Sequence, residues 1–352
     1  MEGRVWPVHL RTLERAPSAD ELVPATVEEI WSEDFGRSPS GPLALGDSIV
    51  IATTGDKHVT LARREDGRIV WRRSLKGPGA GGALFTVDRV YAASGDRDGQ
   101  LQATDLRSGK RRWRRTLGPV VGPIALADST VYVGTADGAL FAMEVRRGHV
   151  RWQRRFPKAL QSGVTVIGGQ LFVATDDSLY LLDLRSGAEV TAARTPAAVR
   201  SPPAVSGDVL VLTSPDGVLA GLDVRTLAER WSIDVHAPVF GGAAIARDTA
   251  FAVTVEGELW RVPLHAPEAA RGQPLGRPMR ITPAPVRNGV LLGTVAGEVL
   301  LIDDRSDVPR WSVKLDGPIE FPPIVDRGTV FVIDGRGTAY AWRAAPSRAP
   351  EP

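Results

Sequence analysis

Three observations in this 352-residue sequence predict an all-β fold, an eight-bladed β-propeller of four-stranded antiparallel blades. Tryptophan returns at near-constant intervals, at Trp31, Trp71, Trp113, Trp152, Trp231 and Trp311, the first three spacings being 40, 42 and 39 residues. Each interval reads as four short extended runs divided by glycine turns, which is what an antiparallel meander needs. The last interval stops before its fourth strand, whereas Glu29–Phe35 at the other end is a fourth strand with nothing before it. Joining the two completes an eighth blade and removes the open seam of the ring.

Taken in order, residues 1–24 are polar and without a period, and read as a flexible N-terminal arm. Residues 25–343 form one propeller domain, and 344–352, rich in Pro and Ala, a disordered tail. The outer strand at about 29–35 carries Trp31. The third interval shows the pattern in full: Pro123–Leu126, Thr130–Thr135, Ala139–Val145 and Val150–Phe156, with Asp137-Gly138 and Arg147-Gly148 between strands. After Trp152 the turn Arg185-Ser-Gly187 puts Thr191 in the tryptophan slot, and the 80 residues from Trp231 to Trp311 put a degenerate slot near Arg271. From Trp31 to Trp311 there are then seven intervals averaging 40 residues, hence eight slots. With 37 Gly and 27 Pro, a helical reading has little to stand on.

Composition narrows the chemistry. The chain has no cysteine, so it forms no disulfide, thiolate metal site or lipid-modified cysteine. Its five histidines, His9, His58, His149, His236 and His265, are scattered, and no metal site is expected. Asp176-Asp177 and Asp303-Asp304 sit at strand ends or turns, where carboxylates accept backbone hydrogen bonds; no catalytic residue is assigned to them. No stretch has the apolar core of a signal peptide, and none approaches eighteen apolar residues, so a cytoplasmic location follows if Met1 is the true start.

A formal net charge of +2 conceals a strong asymmetry, because residues 57–158 hold 21 Lys and Arg against 9 Asp and Glu. Arg72, Arg73, Arg112, Arg114, Arg115, Arg151, Arg154 and Arg155 all fall on expected outer strands of the first three blades. Two readings stand side by side. Edge charges block sheet-to-sheet aggregation, or a continuous basic rim receives an acidic protein, anionic lipid or nucleic acid. Specific nucleic-acid reading has no support from aromatics free of core duty. On the second reading, reversing the charge of Arg112, Arg115 and Arg155 leaves the fold intact and abolishes partner capture.

The phrase Ala103-Thr-Asp105-Leu-Arg-Ser-Gly109-Lys-Arg-Arg-Trp113 resembles the tryptophan-docking motif of the quinoprotein-type (PQQ-like) β-propeller repeat family, with weaker copies around Trp71, Trp152, Gly187, Trp231 and Trp311. The resemblance covers about residues 29–343. It implies that Trp31, Trp71, Trp113, Trp152, Trp231 and Trp311, with Asp105 and Gly109, dock blades together and do not form a ligand platform. The quinoprotein alcohol dehydrogenase branch implies a quinone held beside calcium under adjacent cysteines, but this chain has no cysteine and compact blades, so neither cofactor nor enzyme activity is expected. Size, eight blades and economical loops are closer to the branch of the bacterial outer-membrane assembly factor BamB. That branch implies a monomeric, non-catalytic scaffold for protein partners in the cell envelope. A quinone-dependent dehydrogenase and a ligand-sensing propeller module are the alternatives.

Overall fold

The computed structural model describes residues 20–23, 26–195, 197–303 and 308–344. Short β-branched strands separated by glycine turns pair with their sequence neighbours, the first strand alone pairing with the last, so the chain folds into eight separate four-stranded antiparallel sheets. Blades 1 to 7 span residues 44–74, 79–116, 125–155, 160–194, 204–234, 244–274 and 284–314. Blade 8 takes 324–326, 329–333 and 338–344 from the C-terminal end and Val27–Asp34 from the N-terminal end. In that closing pair Trp31 lies opposite Ala341 and Asp34 opposite Thr338, with Phe35 N donating to Gly337 O at 3.0 Å. The ring therefore closes through an outer strand, as the unmatched sequence ends require.

The core is not one mass. Eight clusters of buried side chains each bridge two adjacent blades, for example Leu84, Tyr91 and Trp113 of blade 2 with Leu126, Val131 and Met143 of blade 3, and Trp31 and Phe331 of blade 8 with Leu43 and Val50 of blade 1. The three inner strands of each blade are apolar on both faces, because each face meets a neighbouring blade. The fourth strand alternates buried with exposed positions and forms the outer wall. One end of the ring carries the hairpins between second and third strands with the loops between blades, linked for instance by Gly95 N to Pro78 O at 2.9 Å. The turns between third and fourth strands lie at the other end.

Among the described residues the one helical turn is Pro267–Ala269, and no helix is long and apolar enough to cross a membrane. Asp20–Val23, within the segment read as an arm, lies against blades 7 and 8: Val23 N and O exchange hydrogen bonds with the Asn288 side chain at 3.1 and 2.7 Å, and Arg287 N donates to Glu21 O at 2.8 Å. The rest of the arm, 1–19 and 24, and the tail from 345 onward lie outside the described residues.

Candidate interaction surface

The outer strands of blades 1 to 3 read Ile-Val-Trp-Arg-Arg-Ser, Arg-Arg-Trp-Arg-Arg-Thr and Val-Arg-Trp-Gln-Arg-Arg. A two-residue period sends each tryptophan and the residue two beyond it to the same side of the strand. A register shift lies just before each tryptophan, between Leu61 and Ala62, Ala103 and Thr104, and Ala142 and Met143 of the partner strands. Such bulges re-aim a side chain. The indole of Trp71 thus donates to Leu106 O of blade 2 at 2.9 Å, that of Trp113 to Val145 O of blade 3 at 3.0 Å, and that of Trp152 to Leu184 O of blade 4 at 3.1 Å. Trp31 reaches Arg64 O at 2.9 Å and Trp231 reaches Leu264 O at 3.2 Å in the same way. Trp311 is opposite Leu301 and packs against the blade 7–8 core.

Gly109 shows why the turn needs glycine. Its φ is +67°, and a Cβ there would come within 2.9 Å of Trp71 Cγ and of Arg73 Nε. The indole of one blade lies flat on the turn glycine of the next. Gly148 receives Trp113 and Gly187 receives Trp152, each with a virtual Cβ contact of 2.7 Å. Gly109 and Trp113, neighbours in the sequence motif, therefore serve two different interfaces. Asp105 organises the turn: its carboxylate accepts from Ser108 N at 2.8 Å, Ser108 Oγ at 2.7 Å and Arg112 Nε at 3.2 Å. The Ser108 backbone N–H, its hydroxyl and then the Arg112 guanidinium hold the Asp105 carboxyl well below the usual carboxylate range.

The eight arginines of the sequence-derived rim separate into distinct roles. Arg73, Arg115 and Arg154, each two residues after a tryptophan, reach across to the turn glycine of the next blade. Arg73 Nε donates to Gly109 O and Arg115 Nε to Gly148 O, both at 2.9 Å, and Arg154 Nη1 to Gly187 O at 3.1 Å. Arg115 adds Arg147 O at 2.9 Å, and Arg154 adds Glu189 at 2.7 Å while its guanidinium sits 5.2 Å from the Phe156 ring centroid. These three are a second set of fasteners between blades. Charge reversal at Arg115 would remove its contacts with Gly148 O and Arg147 O of the next blade. Arg72 binds Asp34 O of blade 8 at 2.5 Å, Arg112 pairs with Asp105, Arg151 holds Ser129 Oγ at 2.7 Å, and Arg155 holds Asp137 O at 2.9 Å. Arg114 is exposed and its side chain makes no hydrogen bond or ion pair among the described residues.

Arg114 is joined by Arg111, at the start of the same outer strand, and by cations that lie off the outer strands. Arg111, Arg107 and Lys110 on the blade 2 turn, and Arg146 on the blade 3 turn are all exposed, and their side chains have no described partner. The Arg115–Arg147 contact sets the blade 3 turn against the outer strand of blade 2. The sequence signal was present in the charge of the turns themselves. Elsewhere, Asp177 is paired with Lys158 at 2.7 Å, which lowers its pKa, and Asp303 with Arg310 at 3.5 Å, while Asp304 lies outside the described residues. Among the described residues no three His, Asp or Glu side chains gather around one point.

The model of the family described as outer membrane protein assembly factor BamB matches residues 19–159, 155–258 and 246–346, which together take in almost the whole chain. The chain belongs to the BamB family. No curated protein matches it by sequence. Among solved structures, BamB from Moraxella catarrhalis superposes with a TM-score of 0.76 at 17% identity, over 90% of this chain and 100% of that one. The computationally designed Ika8 protein also scores 0.76, at 14% identity over 90% and 99% of the two chains. The quinohemoprotein alcohol dehydrogenase ADHIIG from Pseudomonas putida HK5 scores 0.76 at 11% identity, over 95% of this chain and 79% of that one. At these identities the likeness is one of fold. Within this chain the cations concentrate in blades 1 to 3, where residues 57–158 hold 21 Lys and Arg against 9 Asp and Glu.

Proposed function

We propose that this BamB-family protein is a non-catalytic scaffold that holds an acidic protein partner against the turn end and outer wall of blades 2 and 3. One observation carries the reading: Arg107, Lys110, Arg111, Arg114 and Arg146 form an exposed group without described counter-charges, where neighbouring arginines are consumed by carbonyls and carboxylates. Clustered like charge costs self-repulsion that an acidic surface relieves on docking. The family description, an assembly factor, supports a protein as the partner. A photocrosslinking residue at position 111 or 146, compared with one at Val190 on the outer wall of blade 4, tests it. A single acidic protein should crosslink from the first two positions only. Its capture by the purified chain should be lost at about 0.5 M salt and lost when the five cations are changed to Glu. Equal crosslinking from Val190, or capture indifferent to the five changes, sinks the proposal. Incubation with pyrroloquinoline quinone and calcium should leave the absorption spectrum unchanged; a bound chromophore overturns the non-catalytic part.

A further inference from the structure

The tryptophan fastener is missing from blades 4 and 6, and a cavity is lined by residues of each. In blade 4, Thr191 occupies the register position of the indole, opposite Leu181, and in blade 6 Arg271 does so, opposite Arg261. A cavity of about 320 Å³ lies in blade 6 beside Arg261 and Arg271. A larger one, of about 510 Å³, lies between blades 4 and 5.

The larger cavity follows from several coordinated losses. At the blade 2–3 interface Val145 O receives the Trp113 indole at 3.0 Å, the Tyr91 hydroxyl at 3.1 Å and Arg89 Nη1 at 3.0 Å, so three large side chains close the gap. At the blade 4–5 interface the same three positions hold Thr191, Phe172 and Gln170, by the register of their strands. None of these supplies an indole, phenol or guanidinium. The turn has changed in step: Leu227, at φ +58°, stands where the turns of blades 1 to 4 have Gly67, Gly109, Gly148 and Gly187, and it is buried in the blade 4–5 core. The remaining space is walled by Ile167, Val205 and Val224, all buried, with Gln170, Ser206 and Arg225 among its polar lining.

We propose that this interblade cavity is a binding site for a small ligand with a compact apolar body and one anionic head group. The three aliphatic side chains make an apolar floor, and the volume falls within the range of ligand pockets. The charge at the mouth selects the head group. Asp208 and Asp223 beside it are both taken by Arg230, at 2.7 and 2.5 Å, while the Arg225 guanidinium has no partner among the described residues. Arg225 is thus the uncompensated charge, with the Ser206 hydroxyl and Gln170 amide as further polar contacts.

The site is independent of the cationic turns and is tested apart from them. Anilinonaphthalene sulfonate, an anionic aromatic whose fluorescence rises in apolar surroundings, serves as the probe and octanoate as competitor. Saturable one-to-one binding displaced by octanoate is expected. Ser206→Trp should fill the space and abolish it, and Arg225→Gln, an exposed change that leaves the wall intact, should weaken it about tenfold. Absence of saturable binding in the unaltered chain, or binding equal in both variants at unchanged thermal stability, overturns the proposal.

Discussion

Substituting Gly148 by Ala puts one methyl group where the fold has reserved space for an indole from the preceding blade. Two costs are separable. The left-handed φ of +66° is unfavourable for any L side chain, by about 1–2 kcal/mol. The new Cβ would also stand 2.7 Å from Trp113 Cδ2 and Cε3, and the indole cannot retreat freely because it is held by Val145 O at 3.0 Å and lies 6.0 Å from the Tyr91 ring centroid. Overpacking of that kind adds about 1–3 kcal/mol. Gly169 supplies the control, with a φ of +76° and nothing within 4 Å of its virtual Cβ. In urea unfolding Gly148→Ala should therefore be the more destabilising by about 1–3 kcal/mol, and the excess should vanish in a Trp113→Ala background. The converse holds at blades 4 and 5, where Thr191→Trp should be tolerated only together with Leu227→Gly. Equal costs for the two glycines, or an excess that persists without Trp113, would refute the reading of the turn glycine as the seat of the neighbouring blade's indole.

The arginines make a sharper contrast between adjacent residues. Arg115→Met removes bonds to Gly148 O and Arg147 O and should lower stability by about 1–3 kcal/mol, whereas Arg114→Met should stay within about 0.5 kcal/mol of the parent; a urea midpoint for each variant checks both. Alkaline titration tests the interblade phenols. Burial raises the pKa of Tyr91 and Tyr132, and burial with the nearby Asp334 carboxylate pushes Tyr340 up to about 12. The folded state binds these protons more tightly than the unfolded chain, so their stabilisation is complete below the unfolded value near pH 10 and is lost as pH rises towards 12. Absorbance at about 295 nm should show these phenols still neutral in the folded chain past pH 10; full ionisation there with the fold intact contradicts the assignment.

The ring was legible because its rules are local and repeated. A turn glycine, a tryptophan and an apolar pair of strands recur often enough to locate even the slots that lack tryptophan: Thr191 and Arg271 stand in register opposite Leu181 and Arg261, as their distances from the turns require. The pairing of motif members was less visible. Sequence proximity joins Gly109 to Trp113, but an outer strand faces its neighbour, and Gly109 receives Trp71. The same oversight merged the arginines into one rim. A period of two separates Arg115, on the tryptophan side, from Arg114, on the other, and only the first finds carbonyls within reach. Side-chain destinations across an interface depend on which blade follows, and composition does not carry that.

The distribution of departures from the repeat bears on function more directly than the repeat does. A computationally designed chain and a natural BamB match this ring equally, each at a TM-score of 0.76, and a shared fold does not by itself specify function. What this chain adds is uneven. Blades 1 to 3 carry extra arginine fasteners, which hold the outer strands firmly beneath the exposed cations of the blade 2 and 3 turns. The interface between blades 4 and 5 lacks the indole fastener, with Thr191 in its place, and holds a cavity. A surface that must present fixed charge gains from rigid backing, and an interface that must admit a ligand gains from the lack of it. The two departures are therefore opposite in mechanical sense and lie at different interfaces, which is why charge reversal on the turns and plugging of the cavity should act independently of each other.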